Sequence, residues 1–511
     1  MTIHLTILLF WPLALALLGA LIAPGRSAAL FALVGTIVPL VYAVIMLFDY
    51  DTARGGLQYV TDDAWIRELG IRYKLGVDGL SLWLVALTAL LFFASTIWLA
   101  LRPTVRPKLF AVHFGIAETA VLGAFLAQDL ALFVLFFDLM LVPFYFLVGQ
   151  WGRGNRIAAA VKMVIYTLVG SLLMLAGAVA TAVVAARGGH DLSFVLSDLT
   201  QRTIPAGSQK WIFVAFALAF LIKMPAFPFH GWMPDAYGSM PLPALAVFSG
   251  VVSKVAVYGF LRIALPLFPE PVHDWQLIFL ILSLISILYG SIQAFTQTNL
   301  RLILGYSSVA QLGFITLGLF ALDRAASGAN GALLQAVNHG LVVAPLFLIV
   351  VLLAERAGGS EDIRDMGGIA FRAPVLATMF LVVAFATLAI PGSANFVGEF
   401  LILLGTFKSK LVIALIGSIG VILASVYALR MYIRTMHNRT GPAVTSVEMR
   451  LADGLVIVPL VLAIVAFAVY PQQALRHGQS AVRASVRPAQ QAATEQAAAG
   501  QTASISRGAT P

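Results

Sequence analysis

The sequence predicts an all-α polytopic membrane protein of about 14 transmembrane helices, and three observations carry that reading. Hydrophobic residues make up 60% of the 511 positions and charged residues only 11%, against roughly 25% charged in soluble domains. Apolar stretches recur from the first residues to position 471, each near the length of about 20 residues that crosses a hydrocarbon core of roughly 30 Å. Lys and Arg fall in the short loops between those stretches, where they act as topology signals.

The apolar windows lie near residues 3–23, 28–48, 79–101, 107–127, 130–149, 161–186, 211–238, 243–267, 275–295, 301–321, 330–353, 374–407, 410–434 and 453–471. The stretch from Ile3 to Ile22 lacks a basic leader and is long enough to span, so it reads as a retained first helix. Pro225, Pro228 and Pro234 interrupt the seventh window, and Pro391 and Gly392 interrupt the twelfth. Both windows exceed a simple span, so helices 7 and 12 are predicted to be broken. Their separation by five helices points to inverted repeats of helices 4–8 and 9–13.

Residues 1–471 thus read as one transmembrane domain. From Ala474 onward the chain is rich in Gln, Ala, Ser and Arg and has no aromatic residue. Residues 472–511 are predicted to form a disordered tail.

Arg26, Arg102, Arg106, Lys108, Arg153, Arg156, Lys162, Arg301, Arg356, Arg364, Arg372, Arg430, Arg434, Arg439 and Arg450 all follow odd-numbered helices. Those loops are expected to face the cytoplasm, with both termini on the outer side of a bacterial inner membrane. Lys408 and Lys410 run against the bias. The net charge of +9 is scattered and makes no nucleic-acid-binding patch. The absence of cysteine excludes a thiolate-ligated iron-sulfur cluster or a disulfide in this chain.

A charge at the centre of a spanning helix costs at least roughly 2.5–3.5 kcal/mol, which makes each such residue a functional candidate. Lys223 and Lys254 lie 12 and 11 positions into their windows, about 17 Å deep at 1.5 Å per residue. The tight turn Gln128–Asp129 makes helices 4 and 5 a hairpin, so Glu118 and Asp138 are expected at similar depth. Glu399 lies beyond the Pro391 break, while His230 and His339 add groups that exchange protons near neutral pH. Arg301, Lys408 and Lys410 sit at helix ends, where anchoring explains them.

Burial disfavours the charged form of lysine and carboxylate alike, and a nearby opposite charge restores it, so moving a partner toggles the proton. Glu118, Asp138, Lys223, His230, Lys254, His339 and Glu399 therefore form the expected proton-transfer set. Glu118 and Asp138 are further expected to act as a reservoir beside Lys223, because two close carboxyls do not readily both ionise.

At these residues the sequence resembles the M subunit (chain 4) family of respiratory complex I, the NADH-quinone oxidoreductase. Lys223-Met-Pro-Ala-Phe-Pro-Phe-His-Gly-Trp-Met-Pro-Asp235 resembles the seventh-helix signature of that family, with Lys223 as its lysine and His230 as its histidine. Leu75-Gly-Val-Asp-Gly-Leu-Ser81 resembles the start of helix 3. Phe136-Phe-Asp-Leu-Met-Leu-Val-Pro-Phe-Tyr-Phe-Leu147 with Trp151-Gly152 resembles the fifth helix, and Gly305-Tyr-Ser-Ser-Val309 the tenth. In Pro391-Gly-Ser-Ala-Asn-Phe-Val-Gly-Glu-Phe400, Glu399 stands where the L and N subunits and Mrp-type antiporters usually have lysine.

The resemblance implies a proton-translocating membrane-arm subunit flanked by L- and N-type antiporter-like subunits. It implies Asp138 and Lys223 as the switching pair, His230, Lys254 and His339 as relay, and Glu399 as exit gate. FMN, iron-sulfur clusters and quinone are expected in other subunits, with no redox cofactor in this chain. The alternatives are a Na⁺/H⁺ antiporter subunit of the Mrp type and a ferredoxin- or hydrogenase-linked relative of complex I. Two departures bear on the route: Asp138 replaces the family's glutamate, and Gln311 replaces a frequent histidine.

Overall fold

Backbone groups in hydrocarbon must bond within the chain, which makes the helix the natural spanning element. The computed structural model describes residues 4–25, 27–102, 104–187 and 189–508, with side chains described as far as residue 495. Ile3 and Arg26, used above for the first helix and the topology, lie outside the described residues, as do positions 509–511 of the expected tail.

Thirteen helices among the described residues are long and apolar enough to cross a membrane. They are α1 (Leu5–Ile22), α2 (Ser27–Asp49), α3 (Leu82–Leu101), α4 (Pro107–Leu126), α5 (Leu130–Trp151), α6 (Arg156–Ala185) and α7 (Ala206–Lys223). After these come α8 (Leu242–Leu267), α9 (Gln276–Thr296), α10 (Leu300–Leu319) and α11 (Ser327–Arg356). The region expected to hold the twelfth pass is divided between the shorter α12 (Pro374–Thr387) and α13 (Ala394–Ser409). The last two spans are α14 (Leu411–Met436) and α15 (Leu451–Val469).

Helices α8, α10 and α11 are almost wholly enclosed, whereas only about a third of each of α1, α2, α14 and α15 is buried. The enclosed helices approach closely where glycines face each other. A Cβ on Gly340 of α11 would stand 2.4 Å from the Gly250 carbonyl of α8, so the two backbones meet there.

The start of α5 and the start of α10 share one device. Asp129 caps α5 by accepting from the N–H groups of Ala131 and Leu132, and Asn299 caps α10 by accepting from that of Arg301. Each cap residue also forms an isolated β-bridge to a segment two helices on, Asp129 to Val195 and Asn299 to Asp362. The two devices lie at opposite ends of the bundle, as inverted repeats beginning at α4 and α9 require. Arg301 belongs to this junction. It is buried, pairs with Glu361 at 2.7 Å and also bonds the Met240 carbonyl, so it locks protein to protein and does not anchor a helix at the lipid boundary.

Two elements depart from the all-helical expectation. Strands β1 (Gln58–Ile66) and β2 (Ile71–Val77) form an antiparallel hairpin with Thr61 opposite Leu75 and Asp63 opposite Tyr73. Gly70 closes its turn at φ 64°, and a Cβ there would stand 2.0 Å from the Leu192 carbonyl. The hairpin was hidden because its polar stretch carries little hydropathy signal.

The second departure is the C-terminal segment, which is α16 (Gln472–Gly508) and not a disordered tail. Val482, Val486 and Ala489 recur at helical spacing and are fully buried, and Gln490 donates to the Asp323 carbonyl at 2.6 Å. Three small apolar positions make a stripe too sparse to read against so polar a background. The helix lies across the same face of the bundle as the β-hairpin, over the ends of α8 and the start of α11.

Gly79 fixes that docking, because a Cβ there would stand 2.1 Å from the His477 carbonyl. Gly79→Val is therefore expected to lift α16 from the bundle. Tryptic cleavage after Arg476 and Arg483 in membranes should become severalfold faster, and an unchanged cleavage rate would show that this contact does not hold the helix.

Candidate functional site

Helix α5 loosens in its middle. Pro143 has no N–H to give to the carbonyl four residues earlier, and the helical pattern breaks at Met140, between Leu130–Leu139 and Leu141–Trp151. Lys223, the last residue of α7 before Met224 and Pro225, reaches this point. Its Nζ donates to the Phe137 carbonyl at 3.3 Å and lies 4.5 Å from the centre of the Phe137 ring, a cation–π distance. Asp138 is next in sequence and acts on Lys223 through its charge, yet the two make no ion pair within 4.0 Å. Ser171 of α6 faces the Asp138 carboxylate, whose Oδ1 is buried without a hydrogen-bond partner.

Lys254 is held differently. Helix α8 widens into π turns at Phe248–Val252 and Phe260–Ala264, and a π turn alters which carbonyls the helix itself uses. Lys254 Nζ donates to the Ser249 carbonyl at 2.6 Å and to Ser253 Oγ at 3.3 Å. The side chain is fully buried. His339 of α11 feels its charge, and both imidazole nitrogens of His339 are buried without a partner. The Gly250–Gly340 contact brings these two helices near enough for this pairing.

Glu399, in the first turns of α13, sits among amides. Gln311 of α10 donates to its Oε1 at 2.8 Å, and Gln335 of α11 donates to the same oxygen at 3.4 Å and to Gln311 Oε1 at 2.7 Å. Asn338 donates to the Ala394 carbonyl at 2.6 Å, tying α11 to the start of α13. Several polar atoms at this site, including Asn338 Oδ1, Gln335 Oε1 and both amide atoms of Asn395, are buried without a protein partner. Such a cluster has room in its bonding for water.

The expected residues thus form three separate cells: Asp138 with Lys223, Lys254 with His339, and Glu399 with its amides. No hydrogen bond joins one cell to the next among the described residues. His230 stands apart in the turn Phe229–Trp232, with its ring 4.9 Å from Tyr289 and 5.7 Å from Phe227 and its Nδ1 without a partner.

Glu118 does not join Asp138. It is buried with Oε1 unpartnered, and no charged group acts on it. Equal depth on a hairpin fixes height but not the direction a side chain takes around its helix, so the expected carboxyl reservoir is not present in this arrangement.

Sequence reasoning passed over Gln335, Asn338 and Asn395, because it weighed ionisable side chains and left amides aside. Gln311 is the direct partner of Glu399 and so is more than a lost histidine.

A membrane bundle of inverted repeats with lysines and a glutamate in its interior defines an antiporter-like transmembrane protein. The model of the family described as "NADH:quinone oxidoreductase/Mrp antiporter, TM" matches residues 127–430. Subunit M of the NADH-quinone oxidoreductase of Rhodobacter capsulatus is 36% identical over 91% of this chain and 93% of its own length. Its counterpart in Mycobacterium tuberculosis is 34% identical over 92% of both chains. The chain belongs to the NADH-quinone oxidoreductase subunit M family.

Among solved structures, a chain of respiratory complex I from Thermus thermophilus with bound NADH superposes with a TM-score of 0.87 at 28% identity, covering 94% of this chain and 99% of that one. A chain of the Mrp complex of Dietzia superposes at 0.82 with 22% identity, covering 96% and 99%, a likeness of fold alone.

The Gly250–Gly340 contact gives a direct test of the second cell. Gly340→Ala forces a methyl against a backbone carbonyl, which costs about 1–3 kcal/mol where it cannot relax. The variant is expected to assemble with a lower thermal midpoint and to lose pumping rate as His339 moves from Lys254. Wild-type stability and pumping together would show that the close approach is dispensable.

Proposed function

We infer that this chain is a proton-translocating membrane-arm subunit of an NADH-quinone oxidoreductase. The observation that carries the inference is the row of deep ionisable groups held by backbone, aromatic and amide partners instead of fixed counterions. Lys223 rests on a carbonyl and a ring, Lys254 on a carbonyl and a hydroxyl, and Glu399 on two amides. Groups held so can gain or lose a proton without stranding an opposite charge, which a tight buried ion pair cannot.

In this reading Asp138 modulates Lys223 by approaching or withdrawing. Protons pass by way of Lys254 and His339 to Glu399, with His230 beside the interruption after α7. The gaps between cells are bridged by water when the bundle rearranges. Glu118 contributes a lone carboxyl whose part is separate from the Asp138–Lys223 switch.

The chain works with other subunits of the membrane arm, and L- and N-type antiporter-like subunits are its proposed neighbours. NADH oxidation and quinone reduction, with FMN and iron-sulfur clusters, take place in other subunits. The protein resides in a bacterial inner membrane with the hairpin, α16 and both termini on the outer side. Glu399 in place of lysine favours this reading over an Mrp-type antiporter.

Lys223→Met keeps length and apolar bulk while removing the exchangeable proton. In membrane vesicles it is expected to abolish NADH-driven proton uptake and most quinone reductase activity while the complex still assembles. Full pumping by the assembled variant would refute the assignment.

A further inference from the structure

Helix α8 carries a second polar file on the hairpin side of Lys254. Tyr258 and Arg262 follow at steps of four residues, so all three lie along one face of the helix. Arg262 is eight residues beyond Lys254, roughly 12 Å along the axis. It lies inside the second π turn, Phe260–Ala264. Its Nε donates to the Tyr258 hydroxyl at 3.1 Å, and its Nη2 pairs with Asp78 Oδ1 at 2.5 Å. Asp78 is itself fixed at the start of α3, where the same oxygen accepts from the N–H groups of Leu80 at 3.0 Å and Ser81 at 3.3 Å.

Outside this pair lies a cavity of about 420 Å³, lined by Asp78, Arg262, Gln128 and Pro266 from the bundle and by Ser480 and Ser485 of α16. It opens to the outside, is large enough for several waters, and reaches the guanidinium. Water on the hairpin face thus comes within about 12 Å of Lys254 along α8. Protons returning by this path would bypass the glutamate cell and dissipate the gradient.

We propose that Arg262, held by its ion pair with Asp78, is a proton-inert plug that seals the hairpin-face cavity from Lys254. A guanidinium stays charged at all working pH values, so it neither takes up nor releases a proton in transit. Fixed arginines exclude protons and cations from narrow polar pores by the same means. The Lys254 ammonium also points away from the plug, onto Ser249 and Ser253. The paired charge is retained for the seal: a buried ion pair is weak in stability terms and is readily replaced by apolar residues where only folding is at stake.

The proposal rests on the reading that Lys254 carries protons. The test uses the assembled complex in sealed vesicles: NADH builds a proton gradient, and its decay is followed after the NADH is exhausted. Arg262→Gln is expected to let the gradient decay severalfold faster while quinone reductase activity persists, and Arg262→Lys to leak as well, because a buried ammonium, unlike a guanidinium, can give up its proton. Tyr258→Phe is expected to pump as the native complex does, because no proton passes that hydroxyl.

Decay in Arg262→Gln at the native rate would overturn the plug. So would loss of pumping in assembled Tyr258→Phe, which would put the file on the conducting route; that arm decides the matter even if Arg262→Gln does not accumulate. Lys254→Met separates the two ideas: undiminished pumping there would remove Lys254 from the route, whereas passive decay reports on Arg262 alone.

Discussion

The lack of water inside the bilayer governs this molecule. Lys254 has no exposed surface and no carboxylate in contact, so its ammonium is satisfied by a single helix carbonyl and a neighbouring hydroxyl. That carbonyl is offered where α8 widens into a π turn. Straight α-helix would keep its carbonyls for its own ladder, and the irregular backbone is what makes a deep lysine tolerable. The same logic recurs at Lys223 over the loosened turn of α5 and at Asn338, which bonds the first carbonyl of α13. Each of these departures from regular helix stands beside a buried polar or ionisable side chain.

Irregular backbone in hydrocarbon is stable only where protein encloses it. The helix that carries the two π turns, α8, is accordingly the most enclosed, with the close-packed α11 beside it, and the more exposed α1, α2, α14 and α15 form the outer wall. Glycine permits the enclosure, since Gly250 and Gly340 let the two backbones touch. At the ends of the bundle, charges lie in water or beside partners and make ordinary ion pairs. Arg301 with Glu361 and Lys162 with Asp235 are examples. The interior keeps its ionisable groups apart, and the ends pair them.

Much of this was legible in the chain. Window length gives the helices, because hydropathy over about 20 residues is a strong signal. Depth along a helix placed Lys223, Lys254, His339 and Glu399 in the interior, where all four are buried. Direction around the helix was not legible: the hairpin argument put Glu118 level with Asp138 and could not tell whether the two carboxyls meet, and each keeps a buried oxygen without a partner. The β-hairpin and α16 were missed because both are polar and lie at the end of the bundle, where membrane hydropathy says nothing. The amides around Glu399 escaped notice through the choice of what to count, since Gln335 and Asn338 stand within a spanning window as conspicuously as any charge.

The central claim is that groups lodged in this interior change protonation as quinone is reduced elsewhere in the complex. Infrared difference spectroscopy of the assembled complex reads that change directly, because a protonated carboxylic acid absorbs apart from a carboxylate and shifts in heavy water. A carboxylic band that rises and falls with turnover, and that disappears in Glu399→Gln, is the expected result. A spectrum in which no such band is lost on that substitution, from a complex that pumps normally, would contradict the account.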